Sequence, residues 1–223
     1  MTHATEKAAA PGTAPDATPE APSGDGASRR GKRRDDAVEV LRKAAFELFD
    51  ARGYDDVTIE EIAEHAGVSP STFYRRIGTK EGIVWWELEH RVPQLLAALD
   101  AQPDGVTPSE LVLGALADVV AGREPIDTSG FKTLKAQGVV SIRRHFESIL
   151  TGIESGVAER LAARYGGEPT DPVVRTCAAW LSGTVRIAVD QWIDGDGEVT
   201  FVGTMAPSFL HLGAALDLAL APA

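Results

Sequence analysis

The chain has 223 residues, 43% hydrophobic and 25% charged, a globular composition that excludes a fibrous or wholly disordered protein. Its net charge of −11 comes from 33 acidic and 22 basic side chains, so any cationic surface must be local. One cysteine, Cys177, excludes a disulfide framework and a cysteine zinc cluster, and the five histidines show no ligand spacing, so no metal or cofactor is expected.

Residues 1–28 are rich in Ala, Pro, Thr, Gly and Ser and carry no hydrophobic period, which predicts a disordered tail. It ends in the basic run Arg29-Arg30-Gly31-Lys32-Arg33-Arg34. Regular structure is expected from about Asp35. No segment alternates like a strand, so the fold class is all-α. Val40, Leu41, Ala44, Ala45, Leu48 and Phe49 recur at helical spacing and predict a first helix over 36–51, stopped by Gly53.

Thr58-Ile59-Glu60-Glu61 has the form of a capping box and starts a second helix that runs to about His65. Ala66-Gly67-Val68 is a tight turn, and Ser69 then caps a short third helix with Pro70 at its first position. Thr79 caps a fourth helix over 80–99, which Pro93 should kink or break. Further helices are expected over 108–122, 131–165 in two pieces, 171–194 and 199–220, separated by Gly166-Gly167 and Asp194-Gly195-Asp196-Gly197. No apolar run approaches the ~20 residues that span a bilayer, and residues 1–36 lack the core of a secretory signal. A soluble cytoplasmic protein with no membrane partner is the expectation.

Two short capped helices joined by a glycine turn, about 58–65 and 69–77, make a helix-turn-helix. Ile62, Ala63, Val68 and Phe73 would close its core with the first helix. The outer face of the third helix would then carry Ser71, Thr72, Arg75 and Arg76, with Tyr74 at its edge. Hydroxyls and guanidinium groups reach base edges and phosphates. Thr58 and Ser69 are helix caps that can also touch phosphate, and Lys80 could hold one beside the fourth helix's N-terminal dipole. Arg29, Arg30, Arg33 and Arg34 would form an arm entering an adjacent minor groove.

The stretch from Val40 to Glu81 resembles the TetR family of bacterial regulators. Leu41, Ala44-Ala45, Leu48-Phe49, Gly53-Tyr54, Thr58-Ile59, Ile62-Ala63, Ala66-Gly67-Val68-Ser69, Thr72-Phe73-Tyr74 and Lys80-Glu81 carry the resemblance. Ile77 departs from it, standing where the family usually has an aromatic residue. The resemblance implies an obligate dimer whose first three helices bind DNA. A larger C-terminal domain would bind a small-molecule effector and dimerise. By position, Ser71 and Thr72 match base or phosphate contacts, and Tyr74 and Lys80 match phosphate contacts.

The resulting division is a tail and basic arm over 1–34, a DNA-binding domain over 35–82, and an effector and dimerisation domain over 83–223. Candidate pocket walls are Trp85, Trp86, Phe131, Leu134, Phe146, Tyr165, Trp180 and Trp192, each equally suited to plain core packing. His145, Arg186 and Asp190 are candidate polar groups, although Arg186 and Asp190 have the spacing to pair with each other. Small residues Ala178, Ala179, Gly183, Gly213, Ala214 and Ala215 place a homodimer interface on the last two helices. No nucleophile–base pair, phosphate loop or metal set supports an enzyme. The expected function is a transcriptional regulator, a repressor released from a palindromic operator by a small effector. The alternative is a helical protein-interaction module without ligand response.

Overall fold

A computed structural model describes residues 25–121, 139–194 and 201–221. Every regular element among them is helical: α1 (Asp25–Arg52), α2 (Ile59–His65), α3 (Pro70–Arg76), α4 (Lys80–Ala101), α5 (Pro108–Val120), α6 (Val140–Tyr165), α7 (Pro172–Asp194) and α8 (Phe201–Ala219). No helix among the described residues is long and apolar enough to cross a membrane.

The first helix starts earlier than its apolar period does. Its backbone is helical from Asp25, so the basic run belongs to α1 and not to an extended arm. Apolar periodicity marks only the part of a helix that packs, whereas Arg, Lys and Ala sustain helix on their own propensity. Pro22 is the last proline before α1, which fits a start soon after it. The side chains of Arg29, Arg30, Arg33 and Arg34 lie outside the described residues. Gly53 ends α1 at φ 92°, its N–H donating to the Phe49 carbonyl at 2.8 Å.

Helices α1 to α3 close around Leu41, Ala45, Phe49, Tyr54, Ile62 and Phe73, all buried. Val40, expected in this stripe, is 51% exposed; Val38 and Arg42 take the inward positions instead. Ile83 and Val84 at the start of α4 join the same core, while Leu95 and Leu99 near its end pack in the larger C-terminal part. Pro93 lies inside α4 without breaking it.

The C-terminal helices form a ring in which α4 packs on α5 and α6, α6 on α7, α7 on α8, and α8 back on α5. Polar ties hold this ring. Arg160 of α6 donates to the Leu96 carbonyl at 3.0 Å and pairs with Asp100 at 2.8 Å. Arg164 donates to the carbonyls of Leu99, Gln102 and Pro103. Together they satisfy the exposed carbonyl end of α4, where cations are favoured. On the opposite side, Asp217 of α8 accepts from the Ser109 N–H and hydroxyl, both at 2.7 Å, at the N-terminus of α5.

Candidate nucleic-acid interface

The helix-turn-helix is fixed by its caps. The Thr58 hydroxyl accepts from the Glu61 N–H at 3.2 Å and donates to the Glu61 carboxylate at 2.8 Å, and that carboxylate accepts from the Thr58 N–H at 2.8 Å. Arg52, at the end of α1, donates to the other oxygen of Glu61 at 2.8 Å. The Arg52 guanidinium, with the Thr58 donors behind it, lowers the Glu61 carboxyl from 4.5 to about 2. Thr58 is therefore engaged as a cap on both sides of its hydroxyl.

The turn that aims α3 needs a left-handed residue, and Gly67 supplies it at φ 69°. Val68, half-buried, donates to the Ala63 carbonyl at 2.9 Å and plugs the corner. Ser69 caps α3, accepting from the Thr72 N–H at 3.3 Å. Its hydroxyl also lies 3.0 Å from that of Ser71 and 2.9 Å from that of Thr72. Phe73, fully buried, roots the helix and packs edge-on against Tyr74. Tyr74 is 51% exposed, and Ser71 and Arg75 are exposed beside it. Arg76 is half-buried, with its Nε shut from solvent and without a hydrogen-bond partner among the described residues. The outer face of α3 thus presents Ser69, Ser71, Tyr74 and Arg75, with Thr72 and Arg76 at its margins.

Lys80 does not join that face. Its ammonium donates to the carbonyls of Tyr54 at 2.8 Å and Val57 at 2.9 Å and lies 4.1 Å from the centre of the Tyr54 ring. It ties the loop between α1 and α2 to the start of α4. A phosphate contact by Lys80 would have to compete with two carbonyls and a ring face.

Sequence reasoning also missed the joint between α1 and α4. Arg42 is 8% exposed and its guanidinium bonds Glu87 of α4, while its Nε and second terminal nitrogen have no partner among the described residues. Arg91 approaches the other Glu87 oxygen at 3.6 Å. The signal was available, because Arg42 falls four residues after Val38 on the inward stripe of α1.

Of the candidate pocket walls, Trp85 and Phe146 are buried core. Trp85 stacks on Phe146 at 4.6 Å between ring centres and donates its indole N–H to the Ile142 carbonyl at 2.9 Å. Trp86 stacks on His90 at 4.0 Å. Arg186 pairs with Glu147 of α6, not with Asp190 on its own helix, and this lowers the Glu147 carboxyl. His145 lies 2.8 Å from the Glu89 carboxylate, and Tyr165 donates to the Val106 carbonyl at 2.9 Å. Trp180 borders a cleft formed by α5, α6, α7 and α8. Phe131, Leu134 and the Trp192 side chain lie outside the described residues. Of the small residues assigned to a dimer interface, Ala178 is fully buried in this chain's own core, and Gly213 faces Ser109. Ala214 and Ala215 are exposed, and Gly183 has open space at its Cα.

Residues 41–84 match the family described as bacterial regulatory proteins of the tetR family, and residues 138–217 match the MftR C-terminal domain. The chain is 26% identical over 194 residues to MftR of Mycobacterium tuberculosis, a proposed mycofactocin biosynthesis transcriptional regulator; this covers 85% of this chain and 96% of that one. It is 36% identical over 99 residues to the HTH-type transcriptional regulator TcmR of Streptomyces glaucescens, covering 44% and 43% of the two chains. Among solved structures, the fatty acid degradation regulator FadR from Bacillus halodurans superposes with a TM-score of 0.50 at 18% identity, covering 79% of this chain and 93% of that one. That likeness concerns the fold.

Proposed function

Because this chain belongs to the TetR family of DNA-binding transcriptional regulators, we propose that it is a repressor released from a palindromic operator by a small-molecule effector. The carrying observation is the capped α2–α3 pair, whose exposed face offers Ser71, Tyr74 and Arg75 from a helix rooted by Phe73. Each subunit would lay α3 in the major groove, with Ser71, Thr72 and Arg75 toward base edges and Ser69, Tyr74 and Arg76 toward phosphates. Thr58 would contribute chiefly by holding α2. Arg29, Arg30, Arg33 and Arg34 on a helical backbone would follow phosphates along the duplex, in place of threading the minor groove.

The homodimer would form through α7 and α8. Val173, Trp180 and Ile187 on α7 and Leu218 on α8 are large exposed apolar residues, and Gly183, Ala214 and Ala215 lie beside them. Such a face is costly to leave in water. The domain division is read as residues 1–34 for the tail and basic arm, 35–82 for DNA and 83–223 for effector and dimer, working in the cytoplasm by binding alone. Effector binding would favour a state with the wrong half-site spacing, transmitted along α4 with Pro93 as a pivot.

A gel-shift titration against the DNA flanking the protein's own coding sequence tests this, with DNA upstream of a mycofactocin biosynthesis gene as a second probe. Wild type should form one dimer complex. Arg75→Ala should weaken it by about 1–3 kcal/mol and reduce the salt slope by about one unit if phosphate is involved. Equal binding of random DNA by both proteins would reject the reading.

A further inference from the structure

The first turns of α6 rest against the start of α4, where the Trp85 indole N–H reaches the Ile142 carbonyl and the ring stacks on Phe146. Beside this contact runs a strip of titratable groups that DNA recognition does not use. The Glu81 carboxylate, in the first turn of α4, is half-buried and faces the hydroxyls of Ser141 and Tyr54. Burial opposes its charge, but its own backbone N–H, those two hydroxyls and the nearby His145 ring together hold the carboxyl below the ordinary range. Further along α4, the Glu89 carboxylate lies 2.8 Å from His145 Nε2. His145 of α6 thus meets two carboxylates of α4, one in contact and one within electrostatic reach. Tyr54 belongs to the core of the DNA-binding helices, so the strip ties α6 to that unit as well as to α4.

An imidazole and a carboxylate can share a hydrogen bond in either charge state of the ring, but only the protonated ring makes it an ion pair. Histidine ordinarily changes charge near pH ~6.5, so this tie is strong below that pH and weakens above it, with no change of partner. The other charges around the joint are turned elsewhere. On α6, Arg143 and Arg144 are exposed and Glu147 is held by Arg186 of α7. On α4, Glu87 is engaged by Arg42 and Arg91 on the side facing α1. The His145 ring and Glu89 are both partly exposed, so water screens the pair but does not separate it.

We propose that His145 is a proton-operated latch between α6 and the DNA-binding unit, tightened on Glu89 when the ring is charged and slackened when it is neutral, so that operator affinity responds to pH. The link to operator affinity rests on the regulator reading above, whereas the latch itself does not. Because α4 starts inside the core of the DNA-binding helices, the firmness with which α6 holds α4 sets the cost of moving the reading head. Proton and operator are then coupled ligands, each changing the affinity for the other. A partly exposed ion pair shifts such an equilibrium about threefold per subunit, or about tenfold for a dimer on two half-sites.

The test uses the full-length protein and two readouts. The first is the ring titration of His145 by NMR, its signal assigned by its loss in His145→Gln. Removing the partner charge in Glu89→Gln should lower that titration by about half a pH unit or more. The second is binding to DNA flanking the protein's own coding sequence, by fluorescence anisotropy at pH 5.5 and 8.0. Wild-type affinity should differ about tenfold between the two. His145→Lys, charged throughout, should stay near the wild-type acid limit, and His145→Gln, neutral throughout, near the alkaline limit. His65→Gln, which removes the imidazole 2.9 Å from Glu47 on the far side of α2, should leave the wild-type ratio intact. An unchanged ring titration in Glu89→Gln overturns the latch. Equal pH ratios in wild type, His145→Lys and His145→Gln overturn its control of DNA binding. If wild type binds this DNA at neither pH, the operator reading fails, while the ring titration still decides the latch.

Discussion

Replacing Lys80 by Met decides between two roles for the same cation. In the structure the ammonium makes two charge-assisted hydrogen bonds, at 2.8 and 2.9 Å, and covers the Tyr54 ring at 4.1 Å. Hydrogen bonds to a charged group contribute ~1.5–3 kcal/mol each, and an exposed cation–ring contact ~0.5–1 kcal/mol. Lys80 is only half-buried, so water can reach part of the vacated site and the sum must be discounted. A loss of about 2–3 kcal/mol remains, or roughly 5–10 °C in Tm for a chain of this size. Urea unfolding followed by circular dichroism measures it. Operator affinity, taken where both proteins are folded, should keep its salt slope, because no phosphate contact is removed. An unchanged unfolding midpoint together with a salt slope lower by about one would refute the structural role and restore Lys80 to the DNA interface.

Four further outcomes are expected. Glu87→Ala strands the buried Arg42 guanidinium and should cost about 3 kcal/mol in urea unfolding, whereas Arg42→Met removes the charge and should stay within about 1 kcal/mol of wild type. Deleting residues 1–34 should weaken operator binding and flatten its salt dependence in a fluorescence-anisotropy titration, and an unchanged slope would dismiss the basic run. Pro93→Ala should alter the effector concentration needed for release in a gel shift while leaving operator affinity nearly intact. Glu61 and Glu147 have folded carboxyls below their ordinary 4.5, so their contribution is complete above that pH and is lost as pH falls toward about 2, where Glu61 titrates. Unfolding midpoints measured from pH 5 to 2 should show Glu61→Gln with a shallower decline than wild type.

The part of the fold that could be read from sequence was the part encoded locally. Thr58, Ser69 and Thr79 each carry a helix start within three residues of themselves, and all three are N-caps in the structure. Ile62 and Phe73 are both buried, as their spacing requires. What depended on distant partners was hidden. The carbonyls held by Lys80 come from a loop 23 and 26 residues earlier, and their position relative to α4 depends on how α1 docks. Trp85 and Phe146 read as pocket walls because an aromatic residue lining a core and one lining a void look the same in one dimension. The tie between α5 and α8 was equally invisible, since Ser109 meets Asp217 from 108 residues away.

Arg160 and Arg164 grip the carbonyl end of α4, while its first turn is built into the core of the DNA-binding helices. With Pro93 as the pivot, the part of α4 before it would act as a lever. Its 13 residues, 80–92, extend ~20 Å at ~1.5 Å per residue. A tilt of ~10° about Pro93 would then carry the far tip ~3.4 Å, the rise of one base step along a strand. Two such levers turning in opposite senses would change the reach between paired reading heads by about two base steps.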